Sequence, residues 1–192
     1  MNVGFGGEDP RTGEYYCYME TIAGGNGARP TKDGPDAVQC NLQNTENAPI
    51  EEVELNYPIM ISRYALIEDS CGAGRFRGGL GVLREYELPY EAATFTILSD
   101  GRKFAPWGLS GGREGRPARF TFDPDASAQD LPSKYTMVIP KGMRVRIETP
   151  GGGGFGDPGS RDPAALQRDL RDQKVSSPWI AAATGPGASS KS

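Results

Sequence analysis

Histidine is absent from the 192 residues. No Ser–His or Cys–His nucleophile pair can be assembled from this chain alone. A histidine-ligated zinc or iron site is excluded for the same reason. Large apolar residues are scarce: Leu, Ile, Val and Phe together number 34. No apolar run approaches the ~20 residues that a membrane-spanning helix needs. Cysteine is limited to Cys17, Cys40 and Cys71, an odd number without metal-site spacing. Three free thiols in a reducing cytoplasm are expected. Residues Met1 to Pro10 are glycine-rich and acidic, unlike a secretory signal. The net charge is only −4, without the basic balance of a nucleic-acid binder. That modest charge also argues against a disordered chain, despite the thin apolar content.

Glycine and proline are plentiful, at 27 and 16 residues. They rule out a coiled coil or helix bundle. What remains is a turn-rich, strand-rich body with a thin core, of the kind that another chain completes. Charge is uneven along the sequence. Residues 1–62 carry 3 basic and 10 acidic side chains, whereas residues 63–119 carry 9 and 7. Arginine supplies 15 of the 21 basic residues, which suits fixed ion pairs or recognition of a small anion.

The spacing predicts strands over Glu14–Ile22, Leu80–Leu88, Thr94–Ser99, Ala118–Phe122, Tyr135–Ile139 and Met143–Thr149. A further strand is read from Glu52, where Val53, Leu55, Tyr57, Ile59 and Ile61 alternate, with Pro58 marking an edge or a break. One helix is expected after Asp162, a good N-cap, with Pro163 at its first position and an end near Lys174. The fold class expected is mainly β (α+β at most): a strand-rich glycine-loop domain over residues 1–176 with one C-terminal helix. Residues 177–192 read as a disordered tail.

Four glycine clusters punctuate these elements. None makes a phosphate site by motif. No Gly-Lys-Ser or Gly-Lys-Thr occurs, and Gly72-x-Gly74 has Arg77 where a dinucleotide fingerprint needs glycine. The glycines either adopt backbone angles that other residues avoid or allow close backbone approach. Arg75 and Arg77 flank Phe76 and point to one side of an extended backbone. They make either a clamp for a carboxylate or phosphate, or ion pairs with Glu68, Asp69 or the acidic N-terminal third. Trp107 beside Pro106 reads as a packing anchor, and Cys71 as an inert thiol. Asp33, Asp36, Asp69, Asp100 and Asp157 sit in turns, where aspartate commonly caps the backbone.

The ordered blocks Gly24-Gly25-Asn26-Gly27-Ala28-Arg29, Asp33-Gly34-Pro35-Asp36, Asn44-Thr45-x-Asn47-x-Pro49, Asp69-Ser70-Cys71-Gly72-Ala73-Gly74-Arg75-Phe76-Arg77-Gly78-Gly79 and Thr149-Pro150-Gly151-Gly152-Gly153-Gly154-Phe155-Gly156-Asp157-Pro158 resemble one family. So do Asp100, Arg102 and Pro106-Trp107-Gly108-Leu109 between them. The chain resembles the C-terminal portion of the hydantoinase B/oxoprolinase family, over roughly residues 14–176. The family includes the B component of N-methylhydantoinases, 5-oxoprolinase, and subunits of acetone and acetophenone carboxylases. Its B chains are usually far longer, and Cys71 stands where the family commonly has glycine.

The resemblance implies one piece of a multi-subunit, ATP-dependent enzyme. It would act on a cyclic amide by ring-opening hydrolysis, or on a ketone by carboxylation. No cofactor is expected on this chain alone; ATP and a divalent metal belong to partner chains. Those partners would be a hydantoinase A-like chain and an N-terminal hydantoinase B-like chain, with a small-molecule substrate and neither nucleic acid nor membrane. No catalytic or metal residue is assigned here. Arg29, Asp69, Arg75, Asp100 and Arg102 are the candidates for lining a substrate site, because glycine loops carry them and an anionic intermediate needs ordering. Loop bracing is the competing role for all five. A non-catalytic assembly chain and a stand-alone β-rich binding module are the rival readings.

Overall fold

The computed structural model describes residues 1–39 and 45–184. Cys40 and Asn44 therefore lie outside the described residues. Nine strands occur among them: β1 (Asn2–Asp9), β2 (Glu14–Thr21), β3 (Met60–Leu66), β4 (Val82–Glu87), β5 (Ala93–Leu98), β6 (Arg119–Phe122), β7 (Gln129–Asp130), β8 (Lys134–Ile139) and β9 (Arg144–Glu148). The helices are α1 (Ile50–Asn56), α2 (Pro163–Arg171) and α3 (Ser177–Thr184). The mainly β expectation holds.

The strands form two antiparallel sheets, ordered β2-β1-β5-β8 and β3-β4-β9-β6-β7. Val3, Phe5, Phe95, Ile97 and Ile139 of the first pack against Val82, Tyr86, Phe120, Val145 and Ile147 of the second. The Phe5 and Tyr86 rings lie 4.9 Å apart across the interface. Inside this core, Glu20 accepts hydrogen bonds from the Tyr18 and Tyr86 hydroxyls and pairs with the fully buried Arg84 at 3.0 Å. A buried carboxylate is tolerable only with such partners.

The structure corrects several expectations. The strand read from Glu52 is helix α1, and the neighbouring strand starts only at Met60. Val53 and Tyr57 are four residues apart, so they satisfy a helical period as well as an alternating one. Val53 is buried while Leu55 is 78% exposed, which separates the two patterns. Pro58 divides the helix from the strand, as its missing N–H requires. Strand β1 escapes the sequence pattern, because Gly4 and Gly6 leave only Val3 and Phe5 to carry its apolar face. Among the described residues, three α-helices and a short 3₁₀ helix over Pro158–Ser160 replace the single helix expected. In α2, Asp162 does cap Ala164 at 3.0 Å, but the helix ends at Arg171. Helix α3 occupies residues 177–184, within the stretch that reads as a tail, and residues 185–192 lie outside the described residues.

Candidate functional site

The glycine clusters meet in one backbone bundle beside the sandwich. Its axis is the segment Pro150–Gly154, which continues from β9. Hydrogen bonds to it recur every third residue. Gly25 and Ala28 donate to the carbonyls of Pro150 and Gly153, each at 2.9 Å. Gly151 and Gly154 donate to Arg116 and Arg113, at 3.0 and 2.9 Å. Gly152 donates to Gly79 and accepts from Gly72, and Leu109 donates to Gly154. A period of three matches an extended helix with three residues per turn. Such a segment has no internal hydrogen bonds, so its polar groups must be satisfied by neighbours.

This packing explains the glycines. A Cβ on Gly152 would overlap the Asn26 carbonyl, and one on Gly78 would overlap the Gly152 carbonyl. Close backbone approach, and not unusual backbone angles, is therefore the reason for glycine along the axis. The positive φ values fall at the turns, including Gly101 at 78° and Gly156 at 76°.

A buried ion network braces the bundle against α2. Arg77, 4% exposed, pairs with Asp36 and Asp169, each at 3.0 Å, and donates to the Gly78 carbonyl. Arg161 pairs with Asp33 at 2.8 Å and also reaches Asp169, while Lys174 holds Asp36 at 2.8 Å. Burial by itself raises the Asp33 and Asp36 carboxyls. The hydrogen bonds and charge of Arg161 on Asp33, and of Lys174, the Leu80 amide and Arg77 on Asp36, outweigh it and hold both below the usual carboxylate range. Arg77 is thus spent on bracing, and the two-arginine clamp does not form.

The five candidate site residues do not converge. Asp100 and Arg102 flank Gly101, which lies against the Pro150 ring at one end of the bundle axis. Arg29 follows Ala28, bonded to Gly153, and Arg75 donates its amide to Gly156 at the other end. At ~3.1 Å per residue, the four steps from 150 to 154 separate the two ends of the axis by roughly 12 Å. Asp100 is almost fully exposed and stands 3.8 Å from Lys134; it also lines a cavity of about 360 Å³ with Gly24, Ser99 and Pro150. Arg102 pairs with Asp130 at 3.6 Å. Asp69 accepts from the Ser176 amide and hydroxyl, at 2.7 and 2.6 Å, and anchors the start of α3.

Arg29 and Arg75 make no ion pair among the described residues; the Arg75 guanidinium lies 5.5 Å from the Phe76 ring centre. Sequence reasoning missed Arg113, which is also without an ion pair there and donates its amide to Ala73 at 2.7 Å, near the same end. Its signal is Gly111-Gly112-Arg113, a glycine loop ending in arginine like the other two. Arg29 and Arg75 are exposed and Arg113 is half-buried, so three of the bundle's segments carry cationic side chains without an ion pair among the described residues.

The reading of Trp107 changes, and the reading of Cys71 as an inert thiol holds. Trp107 is 77% exposed, so its backbone packs and its ring does not anchor the loop. Its carbonyl faces Gly153, and this contact holds the loop without the side chain. Cys71 is buried, and burial pushes its thiol up to about 12. Cys17 is free and exposed. Among the described residues, no group of three or more Cys, Asp or Glu side chains is placed to hold a metal ion, so they do not fit one. No helix among them is long and apolar enough to cross a membrane.

Comparison with known proteins agrees with this architecture. The family model for hydantoinase B/oxoprolinase matches residues 1–158. The B component of a putative D-/L-hydantoinase from Pseudomonas sp. is 34% identical over 88% of this chain and 29% of its own length. The 5-oxoprolinase 1 of Arabidopsis thaliana is 41% identical over 73% of this chain and 11% of its own. The crystal structure of an ATP-dependent caprolactamase from Pseudomonas jessenii superposes with a TM-score of 0.82 at 29% identity, over 95% of this chain and 33% of that one. A nucleotide-free acetone carboxylase shares the fold, with a TM-score of 0.79 at 21% identity, over 96% of this chain and 29% of that one. The chain therefore spans about a third or less of the length of these relatives. With residues 1–158 matched and the fold shared, the chain belongs to the hydantoinase B/oxoprolinase family.

Proposed function

We propose that this chain is one component of an ATP-dependent enzyme that opens a cyclic amide by hydrolysis. The observation that carries this reading is the identity of 34% and 41% with proteins named for hydantoin and 5-oxoproline. The caprolactamase, also named for a cyclic amide and for ATP dependence, supports it. The acetone carboxylase likeness concerns the fold alone, so ketone carboxylation is the weaker alternative.

An amide carbonyl is a poor electrophile, and its hydrolysis develops negative charge on oxygen that must be stabilised. This chain has no histidine to serve as base. The nucleotide, the divalent metal and the base would therefore come from a hydantoinase A-like chain and from the portion of the B-type polypeptide that the relatives have beyond this match. This chain would supply a rigid module whose arginine end, Arg29, Arg75 and Arg113, faces an anionic group of substrate or nucleotide. A purely structural component is the competing role.

The test is reconstitution with a hydantoinase A-like chain and the remaining portion of a B-type polypeptide, assayed on hydantoin, 5-oxoproline and caprolactam with and without ATP. Ring opening that needs ATP and every chain is expected. Arg75→Ala should lower turnover in a complex that still assembles. Unchanged turnover in that intact complex would leave only the structural role. Ring opening without this chain would overturn the proposal.

A further inference from the structure

Among the described residues the bundle is one segment short of closure. With three residues per turn, successive residues of the axis point 120° apart. Its amides point in three directions: Gly151 and Gly154 toward 113–116, Gly152 toward Gly79, and Gly153 in the third. Its carbonyls point in the three directions between: Gly152 toward Gly72, Pro150 and Gly153 toward 25–28, and Gly154 toward Leu109. The surrounding segments also bond to one another in ring order. Gly79 donates to Asn26 at 2.8 Å, Gly78 to Gly72 at 2.9 Å, Arg113 to Ala73 at 2.7 Å, and Gly115 to Pro106 at 2.9 Å. The ring breaks between 25–28 and 106–109, where no such bond occurs among the described residues. On the 120° spacing the Gly153 amide falls in that gap; it has no hydrogen-bond partner among the described residues, although Gly153 is buried.

Two further observations mark the gap as a groove. A cavity of about 360 Å³, lined by Gly24, Asp100 and Pro150, lies at the Pro150 end of the axis. Along its flank, a Cβ on Gly27 would meet nothing but the Gly153 carbonyl, at 4.0 Å. Phe104 and Trp107, on the loop of the other flank, are 75% and 77% exposed.

We infer that this groove receives an extended, glycine-bearing polypeptide segment with three residues per turn, which completes the ring and accepts a hydrogen bond from Gly153. The geometry selects that occupant because each filled position in the ring is held by such a segment. Glycine must face inward, since the backbones of the ring approach too closely for a Cβ. The chain covers only 29% to 33% of the hydantoinase and caprolactamase chain lengths, so the source is the portion of the B-type polypeptide that those relatives have beyond this match. The inference concerns backbone recognition and does not rest on the proposed activity.

The probe is the soluble nonapeptide (Pro-Gly-Gly)₃, titrated into the ¹⁵N-labelled chain. Saturable shifts of the Gly153, Gly27 and Gly108 amides are expected, with no saturable shift from (Pro-Ala-Ala)₃. Gly27→Leu puts a side chain in the groove without displacing described atoms, so the variant should fold and bind the peptide at least about tenfold more weakly. No saturable shift from the glycine peptide would overturn the inference. Equal binding by Gly27→Leu, or shifts of Gly153 produced by inorganic phosphate alone, would overturn it as well.

Discussion

A Cβ atom on Gly152 would overlap the carbonyl carbon and oxygen of Asn26. Neither backbone can retreat, because Gly152 is also bonded to Gly79 and Gly72, and Asn26 to Gly79 and Pro35. Gly152→Ala should therefore destabilise the chain by about 4 kcal/mol or more, the range kept for severe packing faults. Urea denaturation followed by circular dichroism measures it. A loss below about 1 kcal/mol would show that the bundle tolerates expansion.

Arg77 is the hub of the buried network, and its removal leaves Asp36 and Asp169 short of a partner. Arg77→Ala should cost about 3–5 kcal/mol. Asp69→Ala removes a half-buried anchor of α3 and should cost about 1 kcal/mol, as a lost helix cap does. The ratio of the two denaturation midpoints tests whether bracing is concentrated at Arg77.

Asp33 and Asp36 are held below the ordinary carboxylate range in the folded chain. The unfolded chain binds their protons near pH 3.9. Their contribution is therefore fully present above about pH 4 and is lost as the pH falls through the lower folded-state values. Melting temperature should be flat from neutral pH to about pH 5 and then decline steeply. Asp36→Asn, less stable at neutral pH, should show a shallower decline in acid. An equally steep one would assign the acid sensitivity to other groups.

Thiol reactivity should separate the two described cysteines. Burial raises the Cys71 thiol to about 12, whereas Cys17 is exposed on the outer face of β2. In a Cys40→Ser background, a disulfide reagent at pH 8 should modify one thiol in the native chain and two after denaturation. Two rapidly modified thiols in the native chain would place Cys71 within reach of solvent.

The sequence by itself determined the strand-rich class, most of the strands and the family. Those features are local or motif-borne: alternation in Arg144–Glu148, the Asp162-Pro163 helix start, and the ordered glycine blocks. Tertiary structure decided what the glycines are for. Each cluster alone reads as a turn or a loop, and only their meeting along Pro150–Gly154 shows segments from five parts of the chain bonded at three-residue intervals. It also decided between the two periods at Val53 and Tyr57, and between clamp and brace at Arg77. The physical reason is range. A dihedral preference or a cap acts over a few residues, whereas Arg77 meets Asp169 across 92 residues of chain. No pattern near Arg77 encodes that partner; burial against α2 selects it.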